Sequence, residues 1–401
     1  MLEPTLAIGT IGFLIILGVL IFSLAEKIKV PHVLILILTG IIIGPVLHFF
    51  DPAEYTSIVH PIVTFALVIV LFDAGYEIKF KQLKKEIAPS LRLTIPAILL
   101  SITVAMLFSI YFFKFTWPMA LLLAAIIAST DITIIAPLIK AFEIKPKIKD
   151  VLQLEATINS VLAIIIATAI TGLAIAGKGS LYQATQTFLY QIFVGIGLGV
   201  VFGYIFVFVL KHIKVSEMPE VLSIGTILLI YAISKLVGAS GIFAVFIAGL
   251  IFGNAKQGKV KKVIQSFQSG ISFLIIIFIY IILGSMLKFN ILLSAGLAGL
   301  IFAILVAISR APAAWGYKFS WDDEDKFLFL VGPRGITCVV LALFYANTFA
   351  NSDLVLGVVF ITILVTVLLA STAHKFAEKK DLRQVSKKKP GKKKRKRRKR
   401  K

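Results

Sequence analysis

Five ionisable side chains interrupt stretches that are otherwise apolar: Asp73, Asp131, Glu155, Arg310 and Arg334. A charge placed in hydrocarbon costs about 3 kcal/mol or more, so each of these groups needs a partner or a task. Asp131 lies in Ala128-Ser129-Thr130-Asp131-Ile132-Thr133. The hydroxyls of Ser129, Thr130 and Thr133 can bond nearby carbonyls and tolerate a local helix break, and Pro137 removes a further backbone donor. A helix broken at mid-membrane frees carbonyl oxygens, and a carboxylate beside them supplies the charge that holds a cation or a proton. The plainer alternative is an aspartate satisfied by its own serine and threonine neighbours.

A second interruption is Gly332-Pro333-Arg334-Gly335, two glycines and a proline in an apolar segment. Paired breaks at corresponding positions of two halves point to a midplane site where half-helices meet. Glu155 opens another apolar segment, and Asn159, one helical turn later, shares its face. Glu155 with Arg334 or Arg310 reads as a buried ion pair joining two spans. Asn159 has two readings of equal weight, a neutral ligand beside a cation or interhelical packing. Asp73, in Leu71-Phe72-Asp73-Ala74-Gly75-Tyr76, reads as an interfacial residue in contact with water, or else as part of a path to Asp131.

Other chemistry lacks its residues. No glycine loop ending in Lys-Ser or Lys-Thr is present to cradle phosphates. The five histidines are scattered without metal-ligand spacing, and no serine-centred hydrolase elbow occurs. Cys338, the single cysteine, reads as a small packed residue. Neither an enzyme nor a cofactor is expected.

The elements that must position these residues follow from composition. Hydrophobic residues make up 59% of the 401, against 15% charged, a balance that suits a bilayer better than water. About thirteen apolar runs are long enough to span: 5–25, 31–50, 59–78, 92–113, 117–142, 150–175, 184–210, 219–237, 240–255, 263–287, 290–317, 325–348 and 353–374. The first run reads as a span rather than a cleavable signal. The loops after odd-numbered spans hold 19 Lys and Arg and those after even-numbered spans hold 4. By the positive-inside rule the odd loops and the C-terminus are cytoplasmic and the N-terminus is outside, in a multi-pass protein of the cell membrane. Spans one to six and eight to thirteen then run in opposite orientation, as two inverted repeats. The net charge of +22 comes largely from the tail, which carries 17 of 42 Lys and Arg after residue 374. That tail, 377–401, reads as a solvated cytoplasmic segment drawn to anionic lipids rather than to nucleic acid.

Three segments in this order, Ala128-Ser129-Thr130-Asp131, Glu155-x-x-x-Asn159 and Gly332-Pro333-Arg334-Gly335, resemble the monovalent cation:proton antiporters of the NhaP/NHE type. Leu71-Phe72-Asp73-Ala74-Gly75-Tyr76 and Ser309-Arg310-Ala311-Pro312 are similar to segments of the same family, and the resemblance covers nearly all of the chain before the tail. It implies an all-α polytopic fold of about thirteen helices with two discontinuous crossed helices, here spans five and twelve. It implies a homodimer, with residues 1–90 and 184–288 as the dimerisation part and 91–175 and 290–374 as a core that moves against it, within a transmembrane domain of 1–376. It implies Na+ as the transported cation, with K+ or Li+ as alternatives, exchanged for H+. The expected ligands are Asp131, Thr130, Asn159, Ser160 and Asp73, with Na+ at Asp131. Glu155, Arg334 and Arg310 are expected to form the structural ion pair, and Ser129, Gly332, Pro333 and Gly335 to form the helix breaks. The chain departs from the family at Ser160, where the family has an aspartate, and at Ile132, where it has a proline. Three readings follow: Asp131 carries the exchange, helped by Asp73; the chain is a transport-impaired variant or a non-exchanging sensor; or the scaffold moves something else, such as an organic anion with sodium.

Overall fold

The computed structural model describes residues 4–28, 31–49, 56–131, 133–135, 146–175, 181–212, 218–256, 258–287, 289–318 and 323–373. Ile132, Pro137 and the basic tail lie outside the described residues, as do the loop lysines Lys29, Lys140, Lys145, Lys178, Lys214 and Lys288. Every regular element among the described residues is helical. In chain order they are α1 (Pro4–Ile28), α2 (His32–Ile41), α3 (Thr56–Glu77), α4 (Phe80–Tyr111), α5 (Trp117–Ala128), α6 (Pro146–Ile175), α7 (Leu181–His212), α8 (Pro219–Leu236), α9 (Gly241–Asn254), α10 (Gly258–Ser285), α11 (Phe289–Ile308), α12 (Ala311–Lys318), α13 (Asp323–Leu330), α14 (Ile336–Phe344) and α15 (Ser352–Ser371). Eight described stretches are long and apolar enough to cross a membrane, and Gly9–Ala25, His32–Val46 and Gly241–Asn254 are shorter apolar helices. The chain is an all-α polytopic membrane protein.

Local chemistry sets several helix ends. Pro219 and Pro118 sit in the first turns of α8 and α5, where the missing N–H costs nothing. Asn351 caps α15 by accepting from Leu354 N. The expected eleventh span, 290–317, is found as one apolar stretch at Ala295–Trp315, interrupted by a turn: α11 stops at Ile308, Ser309 and Arg310 form the turn, and α12 begins at Ala311. Pro312 explains the turn, since its ring clashes with the carbonyl four residues before it. The expected second span is shortened likewise, with α2 giving way to a π turn over Ile42–Val46 that contains Pro45.

Small residues bring the helices together, as expected where lipid offers no hydrophobic drive between helices. On α9, a methyl added at Gly249 or Gly253 would fall 2.3 Å from the carbonyl oxygens of Phe72 and Tyr76 on α3. Opposite them, one at Gly75 would fall 2.1 Å from Phe246 O. The other face of α9 meets α7 at Gly199, where the added methyl would lie 2.5 Å from Ala244 O. A separate pair, α2 and α10, touches backbone to backbone at Gly40 and Gly284, with 2.3 Å to Ile281 O and Ile37 O respectively. Elsewhere α4, α5 and α6 pack on one another, α11 on α15, and α14 on both α3 and α10. Large apolar side chains on the outer faces, such as Phe193, Tyr204 and Leu297, are exposed, as helices facing lipid require.

One ion pair ties these groups together. Arg310 donates from Nη1 to Glu155 Oε1 at 2.9 Å and from Nη2 to Oε2 at 3.1 Å, and from Nε to Leu328 O at 2.9 Å. The carboxylate of α6 is thus clamped to the turn between α11 and α12 and to α13. Of the two arginines open to Glu155 in the sequence, Arg310 is the partner.

Two outcomes follow from this packing. Replacing Gly253 by Val should drive α3 and α9 apart and lower the stability in detergent by about 1–3 kcal/mol. Gly197→Ala, with nothing within 4 Å of the added methyl, should leave it unchanged. Thermal unfolding of both purified variants checks the contrast. Arg310→Gln should cost about 3–5 kcal/mol, because Glu155 is left buried and charged. Pairing it with Glu155→Gln should recover much of the loss in the same measurement.

Candidate functional site

The site is built where two interrupted helices cross. α5 ends at Ala128, and Ser129 is extended, with φ −64° and ψ 131°. The chain resumes helical geometry at Thr133. Across from it, α13 ends at Leu330 and α14 starts at Ile336, with Gly332-Pro333-Arg334-Gly335 between them. The two extended segments bond to each other, Asp131 N donating to Pro333 O at 3.0 Å.

Breaking a helix leaves donors at each new N-terminus and acceptors at each new C-terminus. Asp131, 2% exposed, meets the donors. Its Oδ1 accepts from Thr133 N at 2.8 Å and Thr133 Oγ1 at 2.7 Å. Its Oδ2 accepts a short bond from Ile336 N, the first amide of α14, and one from Tyr280 Oη at 3.3 Å. One carboxylate therefore caps two half-helices, at the ends where the helix dipoles favour negative charge. Only glycine fits at 335, since a methyl there would lie 1.8 Å from Asp131 Oδ2. Arg334 meets the acceptors: Nη1 donates to Ala128 O, the end of α5, and Nη2 to Ser101 Oγ at 2.8 Å. Its own amide is held by Thr366 Oγ1 at 3.0 Å. Gly332 leaves room for Arg310, whose Cδ would lie 2.7 Å from a methyl at that position.

A hydroxyl and amide network joins the crossing to α6. Ser160 Oγ donates to Thr130 O at 2.8 Å and lies 3.0 Å from Ser129 Oγ. Asn159 Nδ2 donates to Thr130 Oγ1 at 3.2 Å and to Glu155 Oε1 at 3.4 Å. Thr130 Oγ1 in turn donates to Glu155 Oε1 at 3.4 Å. Asn159 Oδ1 is buried and has no hydrogen-bond partner among the described residues. An orphaned acceptor costs about 1–3 kcal/mol, and a cation would relieve it. Thr130, Asn159, Ser160, Glu155 and Arg310 are brought together here, beside Asp131 and Arg334.

Asp73 stands apart from this network. It is half-buried on α3 and accepts a short bond from Ser272 Oγ of α10. Close to it along α3 is a cavity of about 280 Å³, lined by Tyr76, Glu77, Lys79, Asp150, Gln153 and Thr157 among others. Several partners were missed in the sequence. Tyr280 sits in an unbroken apolar run and looks like core. Ser101, Ser272 and Thr366 carry no local signal, since their partners are distant in sequence. Cys338 is buried, as a packed residue should be, and its thiol also donates to Ser129 O at 3.3 Å. Among the described residues no three His, Cys, Asp or Glu side chains cluster as a metal site.

The geometry can be set beside known proteins. The chain is 28% identical over 362 residues to Na(+)/H(+) antiporter 1 of Methanocaldococcus jannaschii, covering 85% of this chain and 83% of that one. It is 26% identical to the K(+)/H(+) antiporter NhaP2 of Shewanella oneidensis, covering 88% of this chain but 63% of that longer relative. The solved structure of the sodium proton antiporter MjNhaP1 from Methanocaldococcus jannaschii at pH 8 superposes with a TM-score of 0.82 at 25% identity, over 93% of this chain and 98% of that one. Residues 12–378 match the family model described as sodium/hydrogen exchanger, transmembrane, so the chain belongs to the sodium/hydrogen exchanger family, a family of transporters rather than enzymes.

Proposed function

We propose that this protein exchanges a monovalent cation, Na+ with K+ or Li+ as alternatives, for protons by alternating access at the helix crossing. The observation that carries the reading is a carboxylate, Asp131, held between two half-helix N-termini at a crossing whose neighbouring residue, Thr130, bonds Asn159, a side chain with its own Oδ1 unpartnered among the described residues. Relatives described as Na(+)/H(+) and K(+)/H(+) antiporters support it. Asp131 supplies the negative oxygens for which cation and proton contend. Thr130, Asn159 and Ser160 supply neutral oxygens, and the hydroxyls among them can rotate to turn lone pairs toward a cation. The cavity of about 280 Å³ beside Glu77 and Asp150 gives water and cations access from one side. Two carboxylates in it raise the local cation concentration. The division into a dimerisation part, 1–90 and 184–288, and a moving core, 91–175 and 290–374, belongs to this proposal. So do the homodimer, the cell-membrane location with the N-terminus outside, and the attraction of the tail to anionic lipid.

Charge gives Asp73 its place in the exchange. In their ordinary ionised forms Asp131 and Glu155 are balanced by Arg310 and Arg334, so the crossing is neutral before a cation arrives. Family resemblance would put another carboxylate at 160, where this chain has a serine whose hydroxyl is spent on Thr130 O. Asp73 is a further carboxylate within the spans, and it faces the crossing's neighbour α10. A second reading rests on the same fact: a neutral crossing that binds no cation would make this a non-exchanging member of the family.

Reconstitution in liposomes with a trapped pH dye tests both. Adding Na+ or K+ should drive proton movement in the unaltered chain. Asp131→Asn should abolish it, and Asp73→Asn should reduce it at least about tenfold, as expected when one of two essential charges is lost. Ser160→Asp should raise cation affinity. Silence in the unaltered chain together with exchange by Ser160→Asp would replace the first reading by the second.

A further inference from the structure

Of the donors on Asp131, one differs in origin. Thr133 belongs to the crossing itself, and so does the Ile336 amide, the first of α14. Tyr280 comes from α10, which is locked to α2 through the Gly40–Gly284 contact. Its ring is fully buried, and between Phe273 and Gly284 it is the single side chain with a polar atom. The hydroxyl reaches Asp131 Oδ2 at 3.3 Å, longer than the other contacts on that carboxylate. A phenol can rotate about its C–O bond and withdraw its proton, so it is the donor that yields most readily.

We propose that Tyr280 is a positioning residue of the exchange: it holds the unloaded Asp131 carboxylate to α10, and a cation displaces its hydroxyl to engage Oδ2. The inference rests on the assignment of Asp131 as the cation-binding carboxylate. It makes the empty site the latched one. While the hydroxyl stays on Oδ2, the crossing is bonded to a helix outside it. Once the cation holds that oxygen, the bond is lost and only the packing of α14 on α10 still joins the crossing to that helix. α10 repeats the arrangement two turns away, where Ser272 donates to Asp73, so a single helix donates to two membrane carboxylates, Asp73 and Asp131.

Tyr280→Phe removes only the hydroxyl and keeps the ring in its packing. The cation then has no donor to displace, so the apparent KM for Na+ should fall about three- to tenfold, within the range of a typical net hydrogen bond. The maximal rate should stay within about twofold. Incorporating 3-fluorotyrosine at 280, a stronger donor, should move KM upward. A purely structural role would not give opposite shifts for these two changes. An unchanged KM in both would overturn the latch, and a raised KM in Tyr280→Phe would make the phenol oxygen a cation ligand instead. Na+-dependent thermal stabilisation of the purified proteins, in the unaltered and Ser160→Asp backgrounds, gives the same readout without transport. Stabilisation lost in Asp131→Asn but indifferent to position 280 would overturn the latch alone. Stabilisation that survives Asp131→Asn, or is absent from both backgrounds, would overturn the Asp131 assignment and the latch with it.

Discussion

A helix interrupted inside a bilayer has no water to satisfy the backbone groups it exposes, and the rest of this structure depends on how that is met. Two interruptions laid across each other double the difficulty and also supply the remedy. The new N-termini converge on one carboxylate, Asp131, and the end of α5 converges on one guanidinium, Arg334. Each charge stands at the dipole end that stabilises it. The residues that look costly in an apolar chain are therefore the ones that allow the breaks to exist. Gly335 and Gly332 belong to the same solution, because the carboxylate and Arg310 occupy the space their side chains would take.

The Glu155–Arg310 pair serves the crossing at one remove. Clamped from both oxygens, Glu155 still accepts from Thr130 and Asn159 through Oε1. Those two bonds fix where Thr130 points and leave the carbonyl of Asn159 facing no partner. A buried ion pair contributes little to stability by itself. Its effect here is orientation: it ties Thr130 of the first interruption to Asn159 and Glu155, on a helix that neither interruption belongs to.

How much of this could be read from the residues depended on whether the cause was local. Asp131 among Ser and Thr, and Gly332-Pro333-Arg334-Gly335, stand out because hydrocarbon makes polar and helix-breaking residues costly wherever they occur. The turn before Pro312 has an equally local cause, although the apolar run around it reads as one long span. The choice between Arg310 and Arg334 for Glu155 was not local at all, since both are far along the chain and only packing decides between them. Tyr280 was the least legible. Its ring is what an apolar run predicts, and its partner lies 149 residues away. The hydroxyl carries meaning only once α10 is set against the crossing.

Ser160 shows why location matters more than inventory. A serine there makes two neutral contacts, to Thr130 O and Ser129 Oγ, and so stiffens the break without adding charge. With Arg310 and Arg334 offsetting Glu155 and Asp131, a bound cation would leave the crossing positive unless another carboxylate approached. Asp73 is held on α3 by Ser272, and α14 packs between α3 and the crossing. Asp73 lies off α6, which carries the ion pair, on a helix joined to α9 by glycine contacts. Membrane carboxylates thus stand both at the breaks and on a helix that flanks them, so a displacement of α3 against the crossing would change the field at Asp131.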